Sequence, residues 1–247
     1  MEWSKWKPKY EGIVKKLKLN RTEDERAAKI LNRLINSSKL PDLKKLIEGN
    51  ECIVFGAGPS LEKDLEKLDE AGWLNKVLIS ADGATSAVKR YRLPDVIVTD
   101  LDGDVEDQLD AWQKHSFLVV HAHGDNIQKV KEIVPRLTER VIGTIQVNKP
   151  AQLYNFGGFT DGDRAAFMAY ELGAAKIILS GMDLGEEIGE YTGHTNKEVK
   201  KMKLEICENL LSWLSKEFGA KIVNVTSEGR EIPQVPREDI VENQQVK

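Results

Sequence analysis

Apolar positions along the chain follow two rhythms. Up to about residue 49 they recur at helical spacing, with Trp3, Trp6, Tyr10, Ile13, Val14 and Leu17 on one face. Ala27, Ile30, Leu31, Leu34 and Ile35 form a second stripe. Ahead of it, Thr22-Glu23-Asp24-Glu25 has the pattern of a capping box, in which hydroxyl and carboxylate each satisfy an orphan N–H at a helix start. Leu40-Pro41 ends that helix and a short one reaches about Glu48. Amphipathic helices mostly bury their stripe, so a helical layer packed on the core is the favoured reading. A dimer contact, giving a homodimer, or a lid is the alternative.

From Glu51 onward, short β-branched or apolar runs alternate with helical stretches. The runs are Cys52–Phe55, Lys76–Ile79, Val96–Val98, Phe117–Val120, Val141–Ile145, Lys176–Leu179 and, after a long helix over Lys197–Phe218, Lys221–Val225. Continuous apolar strands separated by helices make a parallel sheet covered on both faces. With right-handed crossovers the pattern predicts an α/β, doubly wound, Rossmann-like and mostly parallel sheet with an N-terminal helical segment. Residues 1–49 are the helical segment and 50–247 the Rossmann-like catalytic domain. The tail from Glu228, with Pro233 and Pro236, is expected to run over the surface.

The residues after each run carry the chemistry. They are Gly56-Ala57-Gly58-Pro59-Ser60, Asp82-Gly83, Asp100-Leu101-Asp102-Gly103-Asp104, His121-Ala122-His123-Gly124-Asp125-Asn126, and Gly181-Met182-Asp183. In a parallel sheet all five loops lie on the carboxyl edge, where ligands bind. Gly56, Gly58, Pro59 and Ser60 sit between a strand and a helix, where backbone N–H groups suit phosphate; a tight turn with Ser60 as N-cap is the alternative. The third glycine of a dinucleotide fingerprint is replaced by Leu61, and no P-loop pattern occurs. Asp100 and Asp102 leave a strand as alternate residues, and clustered carboxylates suit Mg²⁺ that holds substrate phosphates; helix capping by the same acids is the alternative. The stretch also looks like the D-x-D-G-T signature of haloacid-dehalogenase-type phosphatases, but Asp104 stands at the Thr position and the strand is the third, not the first. His121 and His123, with Asp125 nearby, could ligate zinc, although such histidines more often contact phosphate or pack beneath a loop. Gly157–Arg164 makes a second anion-binding candidate with Arg164 as its cation; Asp161 or Asp163 as a helix cap is the alternative. Asp183 is a further candidate metal ligand or substrate-facing carboxylate. Gly189–Asn196, with Tyr191 and His194, reads as a loop able to close over a substrate.

Composition narrows the classes. The formal net charge is −4 over 247 residues, and the isoelectric point near 5.7 argues against a sequence-blind nucleic-acid binder. Mean hydropathy is −0.41, and no apolar run approaches the roughly 20 residues of a spanning helix. Met1–Lys7 contains no secretory h-region. Cys52 and Cys207 stand far apart and read as buried thiols in a reducing cytoplasm.

Ser80-Ala81-Asp82-Gly83-Ala84 followed by Leu93-Pro94-Asp95-Val96-Ile97-Val98-Thr99-Asp100-Leu101-Asp102-Gly103 resembles the thiamin pyrophosphokinase pattern, with Thr99 in place of its glycine and Gly103 in place of its serine. The fuller similarity, from Cys52–Ser60 through Gly181-Met182-Asp183, is to the archaeal 6-hydroxymethyl-7,8-dihydropterin pyrophosphokinases, the MptE-like proteins. This resemblance implies transfer of the β,γ-diphosphate of ATP to the hydroxymethyl oxygen of a reduced pterin, with release of AMP, in archaeal methanopterin- or folate-type biosynthesis. It implies Mg²⁺ on Asp100 and Asp102, completed by Asp82 or Asp183. It further implies phosphate contacts from Gly56–Ser60, Gly83 and Arg164, and a base that is either Asp183 or His123. Asp125, Asn126, Phe156 and Phe159 are the candidates to hold the pterin. A Mg²⁺-dependent phosphatase, a D-x-D sugar-nucleotide transferase and a non-enzymatic nucleotide-binding module are the competing readings.

Overall fold

The computed structural model describes residues 1–35, 39–150, 152–185 and 197–241. The β-branched runs form strands β1 (Glu51–Phe55), β2 (Val77–Ala81), β3 (Val96–Thr99), β4 (Phe117–Ala122), β5 (Val141–Ile145), β6 (Lys176–Ser180) and β7 (Ile222–Asn224). They pair in parallel in the order β5-β4-β3-β2-β1-β6-β7. Each lies within a few residues of its expected run. From β1 the chain steps outward to β5, then returns to lay β6 on the other side of β1. The order therefore reverses between β1 and β6, and a crevice opens there at the carboxyl edge.

Alternation within β1 shows how both faces are covered. Cys52 and Val54 point into a large core shared with α8 (Asp161–Glu171) and α9 (Lys197–Phe218). Ile53 and Phe55 point into a smaller core under α4 (Leu61–Glu70) and α5 (Ala84–Val88). All four are fully buried, each worth roughly 1.5–3 kcal/mol of transfer free energy when large and apolar. The α8 helix packs across β1, β2 and β3, which brings its N-terminal turn over the carboxyl edge. The remaining helices are α6 (Val105–Gln113) and α7 (Ile127–Ile133).

The N-terminal stripes join this core. In α1 (Trp3–Leu17), α2 (Arg21–Leu34) and α3 (Leu40–Ile47), the side chains of Trp6, Tyr10, Leu31, Leu43 and Ile47 are fully buried in the same cluster as Val54 and Ile79. The expected cap of α2 is displaced by two residues. Asn20 accepts from the N–H groups of Thr22 and Glu23, and Glu25 pairs with Arg21 instead. The C-terminal segment runs back along the edge of β7. The Asn224 N–H donates to the Pro236 carbonyl at 2.8 Å, Ile232 and Val235 are buried, and the Trp73 indole donates to the Val241 carbonyl. No helix among the described residues is long and apolar enough to cross a membrane.

Candidate active site at the carboxyl edge

Three carboxylates from three segments meet where β2 and β3 end and α8 begins. Oxygens of Asp82, Asp100 and Asp161 lie within 4.8 Å of one another. Asp82 follows β2 in a left-handed conformation at φ 47°, which turns its side chain inward while its N–H still donates to the Val98 carbonyl. Its Oδ1 accepts from the Thr99 hydroxyl at 2.7 Å and the Gln108 amide at 3.1 Å. Thr99 in turn accepts from the Leu101 N–H at 2.7 Å. That bond holds the tight turn in which Leu101 takes φ 65° and buries its side chain, a strained conformation for a branched residue.

Asp100 is held from the β4–α7 turn. The Asn126 amide donates to its carbonyl at 2.8 Å, and His123 Nε2 lies 3.2 Å from Oδ2. The Asp125 N–H donates to His123 Nδ1, so that nitrogen is the acceptor and Nε2–H donates to Asp100. Oδ1 of Asp100 is buried and has no hydrogen-bond partner among the described residues. Asp161 stands in the first turn of α8, behind the N-cap Thr160, whose box partner is Asp163.

Crowding shapes the charges. Burial and the neighbouring Asp100 push the Asp82 carboxyl up to about 6. Burial, Asp100 and Asp82 push Asp161 well above the ordinary range. Burial works in the same sense on Asp100, but the hydrogen bond from His123, with the charges of Lys203 and Arg164, outweighs it and holds that carboxyl below its usual value. Three crowded acids, two with raised proton affinities and the third with a buried oxygen that no described donor reaches, suit a hard divalent cation, which would relieve the repulsion.

The adjoining crevice between β1 and β6 is built by close approach of two loops. Gly56 N–H donates to the Ser180 carbonyl and Gly58 N–H to the Gly181 carbonyl, both at 2.9 Å. A Cβ on Gly58 would collide with the Asp183 carboxylate and the Gly181 carbonyl. Ser60 is not a side-chain cap of α4; its N–H and hydroxyl go to Asp183 Oδ2, and the hydroxyl also reaches Asp64. The fully buried Asp64 carboxylate accepts from the N–H groups of Gly181 and Ser227 at 2.9 and 2.8 Å. The glycines and Pro59 thus give the crevice its shape, while the N–H groups of Gly56, Gly58 and Ser60 already have acceptors inside the fold.

Asp82, Gly83, Asp100, Asp102, Asp161 and Asp183 all line this crevice. Asp102 stands at its rim, half exposed and paired with Lys129 at 3.0 Å, so Asp161 rather than Asp102 completes the close triad. Arg164 does not line the crevice. It is buried and donates to the carbonyls of Gly158 and Phe159 at 3.2 and 2.8 Å, with Nε 3.9 Å from Asp161. Its charge holds the loop that delivers Asp161. His121 is buried on Thr144; burial, Arg164 and His123 keep it well below the usual histidine value. Among the residues considered for pterin, Asn126 is spent on Asp100 and His121, Phe156 is buried against Tyr154, Phe159 packs half-buried on the core, and Asp125 is exposed. Residues 189–196, including Tyr191 and His194, lie outside the described residues. Two groups on α9 that no motif marks, Lys200 and Lys203, line the crevice together with the acids. They belong to a charge run whose facing only the helix's seat reveals.

Comparison with known proteins adds to this geometry. Residues 25–189 match the family model described as 6-hydroxymethylpterin diphosphokinase MptE-like. The chain belongs to this family. It is 43% identical over 233 residues to the 6-hydroxymethyl-7,8-dihydropterin pyrophosphokinase of Pyrococcus furiosus, covering 90% of this chain and 98% of that protein. Proteins of the same name from Methanocaldococcus jannaschii and Methanothermobacter thermautotrophicus are 40% and 39% identical, covering 87% and 89% of this chain and 96% and 97% of theirs. The MptE-like match thus spans the strands and loops that carry Asp82, Asp100, Asp161 and Asp183.

Proposed function

We propose that this chain transfers diphosphate from ATP to 6-hydroxymethyl-7,8-dihydropterin and releases AMP. The hydroxymethyl oxygen bonds to the β-phosphorus as the bond from that phosphorus to the oxygen it shares with the α-phosphorus breaks. The electron pair leaves on AMP and the hydroxyl proton passes to a base. The observation that carries this reading is the convergence of Asp82, Asp100 and Asp161 beside the β1–β6 crevice, in a chain that aligns nearly end to end with pyrophosphokinases.

Such a transfer needs alignment and charge neutralisation rather than a covalent intermediate. Asp82, Asp100 and Asp161 would hold Mg²⁺, which neutralises phosphate charge when bound. Thr99, Gln108, His123 and Asn126 fix two of those carboxylates through the bonds described above. Supporting Asp183 as the proton acceptor, its carboxylate lines the crevice and burial raises its proton affinity against the opposing pull of Ser60. Both ring nitrogens of His123 are engaged. The reaction belongs in the cytoplasm, where ATP is supplied, and its product serves methanopterin- or folate-type biosynthesis. Among the described residues, no feature of the site favours a phosphatase or a sugar-nucleotide transferase.

The test supplies ATP, Mg²⁺ and the reduced pterin and identifies the products. AMP and pterin diphosphate formed in equal amounts, and only together, support the proposal. ADP or inorganic phosphate as the pterin-dependent product would sink it.

A further inference from the structure

We propose that Lys200 and Lys203 of α9 are the clamp for the polyphosphate of the donor nucleotide, gripping it beside the carboxylate triad in the same crevice. This deepens the functional reading above and rests on it. A triphosphate needs cationic partners besides a metal ion, and Arg164 is spent on loop carbonyls inside the fold. Among the described residues, Lys200 and Lys203 are the only cationic side chains lining the crevice.

Their placement is costly unless an anion joins them. Residues three apart on a helix share a face, so the two ammonium groups are neighbours of like charge. Both are half-buried, and among the described residues neither forms an ion pair, whereas Lys16, Lys63, Lys89, Lys114 and Lys129 each do. Burial and the nearness of Lys203 lower the proton affinity of Lys200. The charge of Lys203 reaches Asp100, whose carboxyl it helps to hold down. Unpaired cations sheltered from water and repelling each other are unfavourable in the free protein; a polyanion in the crevice reverses that balance. With the triad lining the same crevice, the arrangement fits phosphates that contact carboxylates through a cation and ammonium groups directly. Leu204 and Cys207, one and two turns after Lys200, also line the crevice with apolar surface, so the clamp adjoins a slot suited to a ring.

The experiment is calorimetric titration of Mg²⁺ with the α,β-methylene analogue of ATP, and separately Mg²⁺ with tripolyphosphate, into the full chain. Wild type is compared with Lys200→Gln, Lys203→Gln, the double variant and the double Lys→Arg variant. We expect affinity for both probes to fall about tenfold per lysine removed and to recover with arginine. Melting temperature should be unchanged or higher in the Gln variants, because a repulsion is removed. Affinities within twofold of wild type in the double Gln variant, or a loss that arginine does not restore, overturn the proposal. Failure of the functional reading is distinguishable: wild type would then make no pterin diphosphate while the lysine dependence of probe binding persists.

Discussion

Asp24 offers the sharpest test of how the N-terminal helices serve the site. Its buried carboxylate accepts from the Tyr10 hydroxyl at 2.6 Å, the Gln146 amide at 2.8 Å and the Gly124 N–H at 2.8 Å. Burial and the Asp24 carboxylate push the Tyr10 phenol well above its ordinary value, so it stays the donor. Gly124 follows His123, the group that donates to Asp100. Asp24→Ala strands the Tyr10 and Gln146 donors, each buried, at about 1–3 kcal/mol apiece; the Gly124 N–H sits on a partly exposed turn where water can reach it. The expected loss is about 3–5 kcal/mol, which for a chain of this size lowers Tm by roughly 8–15 °C. Asp24→Asn keeps the shape, but its NH₂ must face one of the existing donors, so about half that loss is expected. Urea unfolding measures the stability, and Mg²⁺ titration of turnover measures the effect on Asp100. A shift toward higher Mg²⁺ demand is expected for both variants. Stability within about 0.5 kcal/mol of wild type, with an unchanged Mg²⁺ response, would show that Asp24 does not support the His123 turn.

The remaining predictions concern the carboxylates. Asp161→Asn should cut turnover about a hundredfold or more yet leave the metal-free melting temperature equal or higher, since it removes one of three crowded charges; a lowered melting temperature would contradict the crowding argument. Asp100→Asn should lose about a thousandfold in turnover, whereas Asp102→Asn should stay within about tenfold because its exposed pair with Lys129 contributes little; equal losses would return Asp102 to the centre of the site. The folded-state pKa of Asp82 is raised to about 6, so its contribution to stability is greatest below the unfolded value near 4 and is lost as pH rises through 6. That loss is at most about 3 kcal/mol. Metal-free wild type should therefore lose stability relative to Asp82→Asn between about pH 4 and pH 6, and Mg²⁺ should restore it; parallel pH profiles for the two proteins would rule this out.

Much of this architecture was legible because its signals are local. Runs such as Cys52–Phe55 and Val141–Ile145 are too short and too β-branched for helices, and Asp82 and Asp100 stand immediately after strands, where a parallel sheet must gather them. What escaped the sequence depended on orientation or on long-range packing. Asp161 joins Asp82 and Asp100 only because α8 crosses the sheet beneath them, a fact no spacing encodes. Lys200 and Lys203 sit among Lys197, Lys201 and Glu198, a run that reads as a solvated face until the helix is seated. Arg164 follows glycines as phosphate-binding arginines do, yet its guanidinium turns back to the carbonyls of its own loop. Asn20 displaced Thr22 as the cap because two patterns compatible with a helix start overlap within three residues.

If Asp82, Asp100 and Asp161 jointly hold the cation at which polyphosphate is handled, a heavier divalent ion must settle among them. Anomalous scattering from crystals grown with Mn²⁺ and the α,β-methylene analogue of ATP tests it directly. The expected result is a manganese peak among those three carboxylates, with phosphate oxygens beside it. A peak at the Asp102–Lys129 rim, or beside Asp183 with the triad empty, would contradict it.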